Sequence, residues 1–249
     1  MLKAIIFDFD GLILDTETPE YIAWQEIFAE HGCELSLEMW GQVIGGAGFS
    51  DFDAASHLEE LLRSTCSVRS TCPVGHPFDC AHIVPMSLRE GRPVDHAALN
   101  ARWRQRGDEL IAAQAILPGV RDYLDDAQRL GLRLAIASSS KHSWVDTHLN
   151  RLGLWHYFEI IKCADDVSRT KPDPELYRAA LAALHIRAEE AIVFEDSPNG
   201  VKAAKAAGIF VVAVPNPLTA RLWLDGADLT LKSLADLPLG ELLERVDHC

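Results

Sequence analysis

The residues whose types and spacing could do chemistry stand in four places: Asp8 with Asp10, Ser138 with Ser139, Lys171, and Glu195 with Asp196. Asp8-Phe9-Asp10-Gly11 closes an apolar run, Ala4-Ile5-Ile6-Phe7. Ionised carboxylates inside a buried strand are costly without positive partners. The pair therefore predicts a strand end at the carboxyl edge of a sheet, where ligands bind in open α/β folds. Two carboxylates one residue apart could hold a divalent cation or merely solvate a turn, and the pair alone leaves both open. Two further apolar runs end alike: Leu132 to Ala137 enters Ser138-Ser139-Ser140, and Ala191 to Phe194 enters Glu195-Asp196. Lys171, in Arg169-Thr170-Lys171-Pro172, closes a loop after another strand.

Together these are carboxylates, hydroxyls and an ammonium at strand ends, an inventory suited to phosphoryl transfer onto a carboxylate. Asp8 is the candidate nucleophile, since an aspartyl phosphate divides one hard displacement into two easier ones. Like charges must approach, so a cation is expected, and Mg²⁺ prefers hard oxygen ligands. Asp8, Asp10 (through its backbone carbonyl), Glu195 and Asp196 are the candidate metal ligands. The Asp10 carboxyl is then free to protonate the leaving oxygen and later to deprotonate water. Ser138 and Ser139 are candidate phosphate donors, and Lys171 neutralises charge on Asp8 and the transferring group. Each residue has a bland alternative: a helix N-cap for Ser138, a surface lysine for Lys171, a solvated strand end for Glu195-Asp196. All of these falling at strand ends together is much less ordinary.

The elements that must position these residues alternate. From Leu117-Pro118-Gly119 onward, helices follow short apolar strands: Val120, Leu124, Ala127 and Leu130 line a helix ending at Gly131. A helix with Trp144, Val145, His148, Leu149 and Leu152 ends at Gly153, and Ile160-Ile161 is a short strand. Pro174 to Leu184 is a helix, Ser197-Pro198 opens another that stops at Gly208, and Ile209 to Val214 is a strand. Such alternation predicts a doubly wound parallel sheet covered on both faces. The opening strand belongs to it, so residues 1–15 and 116–249 form the α/β core and 16–115 an inserted helical domain. In that insert Thr18-Pro19-Glu20 reads as N-cap, first-turn proline and acidic first turn. Tyr21, Trp24 and Phe28 share a face before Gly32. Gly45-Gly46-Ala47-Gly48 lacks the preceding strand of a dinucleotide fingerprint. Residues 64–90 lack a period, and Arg63-Ser64-Thr65-Cys66 recurs as Arg69-Ser70-Thr71-Cys72, so this stretch reads as an insertion. Its Cys66, Cys72, His76, Cys80 and His82 match no standard zinc spacing. Helix resumes near Asp95, with Leu99, Trp103 and Leu110 on one face.

Asp8-Phe9-Asp10-Gly11, Ser138, Lys171-Pro172 and Glu195-Asp196-Ser197, in this order, resemble the haloacid dehalogenase-like hydrolase superfamily. The resemblance is to its β-phosphoglucomutase-like and sugar-phosphate phosphatase branch, and it covers nearly the whole chain outside 64–90. It implies a Rossmann-like core, a Mg²⁺-dependent aspartyl-phosphate mechanism, and a helical cap moving about hinges near Asp15-Thr16 and Ile116-Leu117. The acid/base aspartate at Asp10 is absent from the family's true dehalogenases. Its mutases carry a histidine near the place of Glu20 and an arginine in the cap loop, whereas 45–51 holds no arginine. The expectation is therefore a phosphatase of a small phosphomonoester such as a sugar phosphate, with a phosphomutase or a non-catalytic regulatory member as alternatives. Trp40, Gly46 to Ser50 and Trp103 are weak candidates for substrate selection.

Composition sets outer bounds. Apolar residues at 48% and charged ones at 24% of 249 positions are ordinary for a globular chain. A net charge of −14 argues against a nucleic-acid surface, which needs clustered Lys and Arg. Only four apolar residues separate Lys3 from Asp8, too few for a signal sequence, and no apolar run reaches membrane-spanning length. The six cysteines form no C-x-x-C pair. A cytoplasmic protein, monomeric or weakly dimeric, with a small phosphorylated metabolite as partner, is expected.

Overall fold

The computed structural model describes residues 2–40, 52–69, 94–221 and 226–246. In chain order the elements are β1 (Ala4–Phe7), α1 (Glu17–Glu30), α2 (Leu37–Trp40), α3 (Ala54–Arg69), α4 (His96–Ala112) and α5 (Val120–Arg129). There follow β2 (Arg133–Ala137), α6 (His142–Leu152), β3 (Ile160–Lys162), α7 (Glu175–Leu184), β4 (Ala191–Glu195) and α8 (Pro198–Ala206). The chain closes with β5 (Phe210–Ala213), β6 (Leu229–Thr230) and α9 (Leu239–Val246). Two compact units result: 2–17 with 114–221 and 226–246, and 18–40 with 52–69 and 94–113.

The first unit is a six-stranded sheet in the order β3-β2-β1-β4-β5-β6, every pairing parallel. Side chains alternate across the strands, so each face of the sheet has its own cover. On one face Ala4, Ile6, Ala135 and Val193 pack with Leu176, Tyr177 and Ala180 of α7 and Val201 of α8. On the other, Phe7 stacks on Phe194 at 5.2 Å, and Tyr123 of α5 meets Phe194 edge-on at 5.4 Å. The Tyr123 hydroxyl donates to the Leu237 carbonyl at 2.6 Å, which satisfies a phenol buried beneath the sheet. Helices on both faces make this the doubly wound parallel sheet that the alternating pattern predicts.

Register is what brings the strand ends together. Phe7 pairs with Ile136 on one side and Phe194 on the other. Asp8 therefore leaves the central strand level with Glu195, and Ser138 follows the end of β2 on the same edge.

The second unit is helical over its described residues. Trp24 stacks on Trp103 at 5.7 Å and meets Phe28 edge-on, so α1 and α4 are joined by aromatic packing. The Trp103 indole donates to the Glu20 carbonyl, and Trp40 is buried against Tyr21, so both tryptophans proposed for substrate selection serve packing.

Several local expectations are corrected. Helix α1 begins at Glu17, ahead of Thr18, with Pro19 inside its first turn, where the missing N–H has no intrahelical partner to lose. Residues 64–69 belong to α3 rather than to an irregular insertion. Leu130 is 50% exposed, because α5 stops at Arg129 and Leu130 is its C-cap. The glycines of 45–48, and Cys72, His76, Cys80 and His82, lie outside the described residues, as does the Cys66 side chain.

Candidate active site

Asp8 is the first residue past β1, and its carboxylate is buried. Its Oδ1 accepts from Lys171 Nζ at 2.5 Å, and among the described residues its Oδ2 accepts no hydrogen bond. The same ammonium donates to Glu195 Oε1 at 2.6 Å. Glu195 Oε1 also accepts from the Tyr177 hydroxyl at 2.8 Å, while Oε2 accepts from the backbone N–H groups of Asp196 and Ser197, each at 3.0 Å, and from Ser197 Oγ at 3.1 Å. A carboxylate offers about four lone-pair positions. Those of Glu195 are already engaged in fixing Lys171 and the turn into α8, whose N-cap is Ser197.

Asp196, fully buried beside it, accepts from Asn216 Nδ2 at 2.9 Å, and the same amide group donates to Glu17 Oε2 at 2.9 Å. Asn216 is itself fixed, its Oδ1 accepting from the Leu218 and Thr219 backbone. Gly11 makes this closeness possible: its φ is +78°, and a Cβ there would stand 2.2 Å from Asp196 Oδ2. Gly200 does the same for Glu195, since a Cβ would fall 1.7 Å from Oε1.

The Asp10 carboxylate is held from the β2 side. Its Oδ2 accepts from Ser138 Oγ at 3.2 Å and Ser140 Oγ at 2.7 Å, and its Oδ1 from Trp144 Nε1 at 2.8 Å. Ser139, between the two serines, is exposed.

Charge in the site is unbalanced. Burial first, and then the Glu195 carboxylate, push the Asp8 carboxyl up to about 8 against the pull of Lys171. Burial, Glu17 and Glu195 raise Asp196 well above the carboxylate range. Burial also pushes Glu17 up to about 7, against the Asn216 hydrogen bond. Burial disfavours the Lys171 ammonium, yet Asp8 and Glu195 outweigh it and keep it charged.

The sequence matches the family model described as haloacid dehalogenase-like hydrolase over residues 5–214. The chain belongs to this family.

YhcW of Bacillus subtilis (strain 168), provisionally named a phosphatase, is 42% identical over 248 residues, 99% of each chain. The validoxylamine A 7'-phosphate phosphatase of Streptomyces hygroscopicus subsp. limoneus is 29% identical over 95% of this chain and 96% of its own. Among solved structures, CbbY from Rhodobacter sphaeroides in complex with phosphate is similar with a TM-score of 0.64 and 29% identity, covering 97% of this chain and 99% of that one.

A haloacid dehalogenase-like hydrolase of this kind has a cation to accommodate, and the residues fit one. Carboxylate oxygens of Asp8, Glu195 and Asp196 lie within 4.8 Å of one another, all buried, with those of Glu195 already taken up by hydrogen bonds. Against these three carboxylates stands, among the described residues, the Lys171 ammonium, so a dication would relieve the repulsion that raises Asp8 and Asp196.

The fold thus brings Asp8, Asp10, Ser138, Lys171, Glu195 and Asp196 to one edge. Sequence reasoning passed over Ser140, Trp144, Tyr177, Glu17 and Asn216. Asn216 carried a usable signal, because it stands just past β5 much as Asp196 stands past β4. Trp144 and Tyr177 had none, being aromatic residues at helical spacing.

Proposed function

We propose that this chain is a phosphoric monoester hydrolase that releases phosphate from a small phosphomonoester, a sugar phosphate being the leading class, through an aspartyl phosphate on Asp8. The observation that carries the reading is the unequal use of the two Asp8 oxygens: Oδ1 is held by Lys171, and Oδ2 accepts no hydrogen bond among the described residues. A fixed carboxylate with one free oxygen is a positioned nucleophile. Relatives named for phosphorylated substrates, and the serine hydroxyls facing Asp10, favour a phosphate ester as the substrate.

In the first half-reaction Asp8 Oδ2 attacks phosphorus, the bond to the leaving oxygen breaks, and that oxygen takes a proton from the Asp10 carboxyl. In the second, Asp10 takes a proton from the water that attacks the phosphorus of the aspartyl phosphate, and Asp8 is released. Lys171 neutralises charge on Asp8 and the transferring group, while Ser138 and the Ser139 backbone or hydroxyl offer donors to phosphate oxygens. Asp8, Asp196 and the Asp10 carbonyl would hold Mg²⁺, with Glu195 one step outward as the anchor of Lys171. The ion would supply positive charge that lets an anionic substrate approach a carboxylate. Glu20 in the place of the mutases' histidine favours hydrolysis over phosphate transfer within a sugar. The helical unit is the candidate source of substrate selection.

The test is phosphate release from a panel of sugar phosphates and other small phosphomonoesters, with Mg²⁺ and with EDTA. Wild type should release phosphate only with the metal, and Asp8→Asn should lose about 10³-fold or more of kcat. Undiminished release by Asp8→Asn would sink the reading, as would isomerised sugar phosphate formed without free phosphate.

A further inference from the structure

The Trp144 indole lies at one end of a stack built onto the turn that it serves. Its ring meets the His148 ring one helical turn later, at 4.3 Å and 66°, and His148 in turn packs on Phe9 at 6.4 Å. Phe9 is the residue between Asp8 and Asp10. Arg151 donates to His148 Nδ1 at 3.4 Å and to the Gln114 carbonyl at 2.9 Å, so the far side of the stack is braced as well. Trp144, His148 and Arg151 all belong to α6, which begins at the strand end carrying Ser138 and Ser140.

From this braced ring one N–H points at Asp10 Oδ1, 2.8 Å away. The two hydroxyls on Oδ2 are different in kind. A serine hydroxyl can donate or accept, whereas an indole N–H only donates. Oδ1 is therefore an acceptor in either protonation state of Asp10, and a proton on the carboxyl has room only on Oδ2. There a serine hydroxyl can turn from donor to acceptor.

We propose that Trp144 is a positioning residue for proton transfer: its indole N–H fixes the Asp10 carboxyl so that Oδ2 is the oxygen that hands the proton to the leaving group. This rests on the assignment of Asp10 as acid and base in the proposed reaction. No part of the indole takes up or releases a proton. When the bond from phosphorus to the leaving oxygen breaks, its electron pair goes to that oxygen, which takes the proton from Asp10 Oδ2. The carboxylate left behind is stabilised by the donors on both of its oxygens.

The experiment uses full-length protein with Mg²⁺ and a series of aryl phosphates, from 4-nitrophenyl to 4-methoxyphenyl phosphate. Their leaving groups differ in their need for a proton while the shape stays similar. Trp144→Phe keeps an aromatic ring on His148 and removes the donor. Its single-turnover rate of phenol release, which reports the first half-reaction alone, should fall little for 4-nitrophenyl phosphate and about tenfold or more for 4-methoxyphenyl phosphate, with KM unchanged. Asp10→Asn should show the same steepened dependence more strongly, and the double variant should be no worse than Asp10→Asn alone. The Trp144 Nε1–H resonance, assigned by its loss in Trp144→Phe, should shift in Asp10→Asn. An equal loss across the series, a change confined to KM, or additive effects in the double variant would overturn the inference while leaving the Asp10 assignment standing. A flat leaving-group dependence in Asp10→Asn itself would overturn that assignment and the inference with it. Circular dichroism and thermal melts of each variant separate these outcomes from misfolding.

Discussion

Asp8 and Asp196 are carboxylates that the folded chain holds in surroundings favouring their neutral forms. A carboxyl raised from 3.8 to about 8 binds a proton more tightly folded than unfolded. Its contribution to stability is therefore fully present below about pH 4 and is lost as pH rises through 8. With metal removed by EDTA, wild type should lose stability relative to Asp8→Asn between pH 4 and 8, measured as the difference in urea midpoints. A difference that stays constant with pH would contradict the crowding described at this site. Most of these residues were legible in the sequence because carboxylates that interrupt apolar runs carry their own signal. Tyr177 was not, because an aromatic on a helix looks the same whether or not it faces a carboxylate.

At the scale of elements, strand register does the positioning, and short ties hold the loops that leave the strands. One such tie is His142, the first residue of α6. Its backbone N–H donates to Asp165 Oδ2 at 2.8 Å, and its ring lies 2.8 Å from Asp166 Oδ2 and 3.5 Å from Asp146 Oδ1. Partial burial opposes the imidazolium, yet Asp166 and Asp146 outweigh it and raise the ring above 6.5. The stabilisation is fully present below about pH 6.5 and fades as pH rises through the raised value. The stability advantage of wild type over His142→Gln should thus be largest at pH 5.5 and shrink toward pH 8.5; equal differences at both would show the ring to be uninvolved. The main strands and helices were readable because their periods are long enough to count. Strand β6, of two residues, is too short to show alternation, and Leu130 was misplaced because a helical stripe does not say where its helix stops. Residues 64–69 follow the helix before them in spite of their repeated, polar sequence.

At the scale of the whole molecule, a chain with a net charge of −14 gathers carboxylates at one sheet edge and offsets them there with the buried Lys171. No helix among the described residues is long and apolar enough to cross a membrane. The family follows from motif order along nearly the full chain, whereas substrate identity would rest on side chains of the helical unit, where the sequence shows packing residues and no distinctive chemistry. What unites the molecule is the chemistry assigned to one oxygen of Asp8, and that can be read directly. Wild type turning over a phosphomonoester with Mg²⁺ would be quenched with borohydride, which reduces an acyl phosphate to an alcohol, and its peptides sequenced by mass spectrometry. Homoserine at position 8, formed only when substrate and metal are both present, is the result expected. Full turnover with residue 8 unmodified, or with the label on another residue, would contradict the aspartyl-phosphate reading.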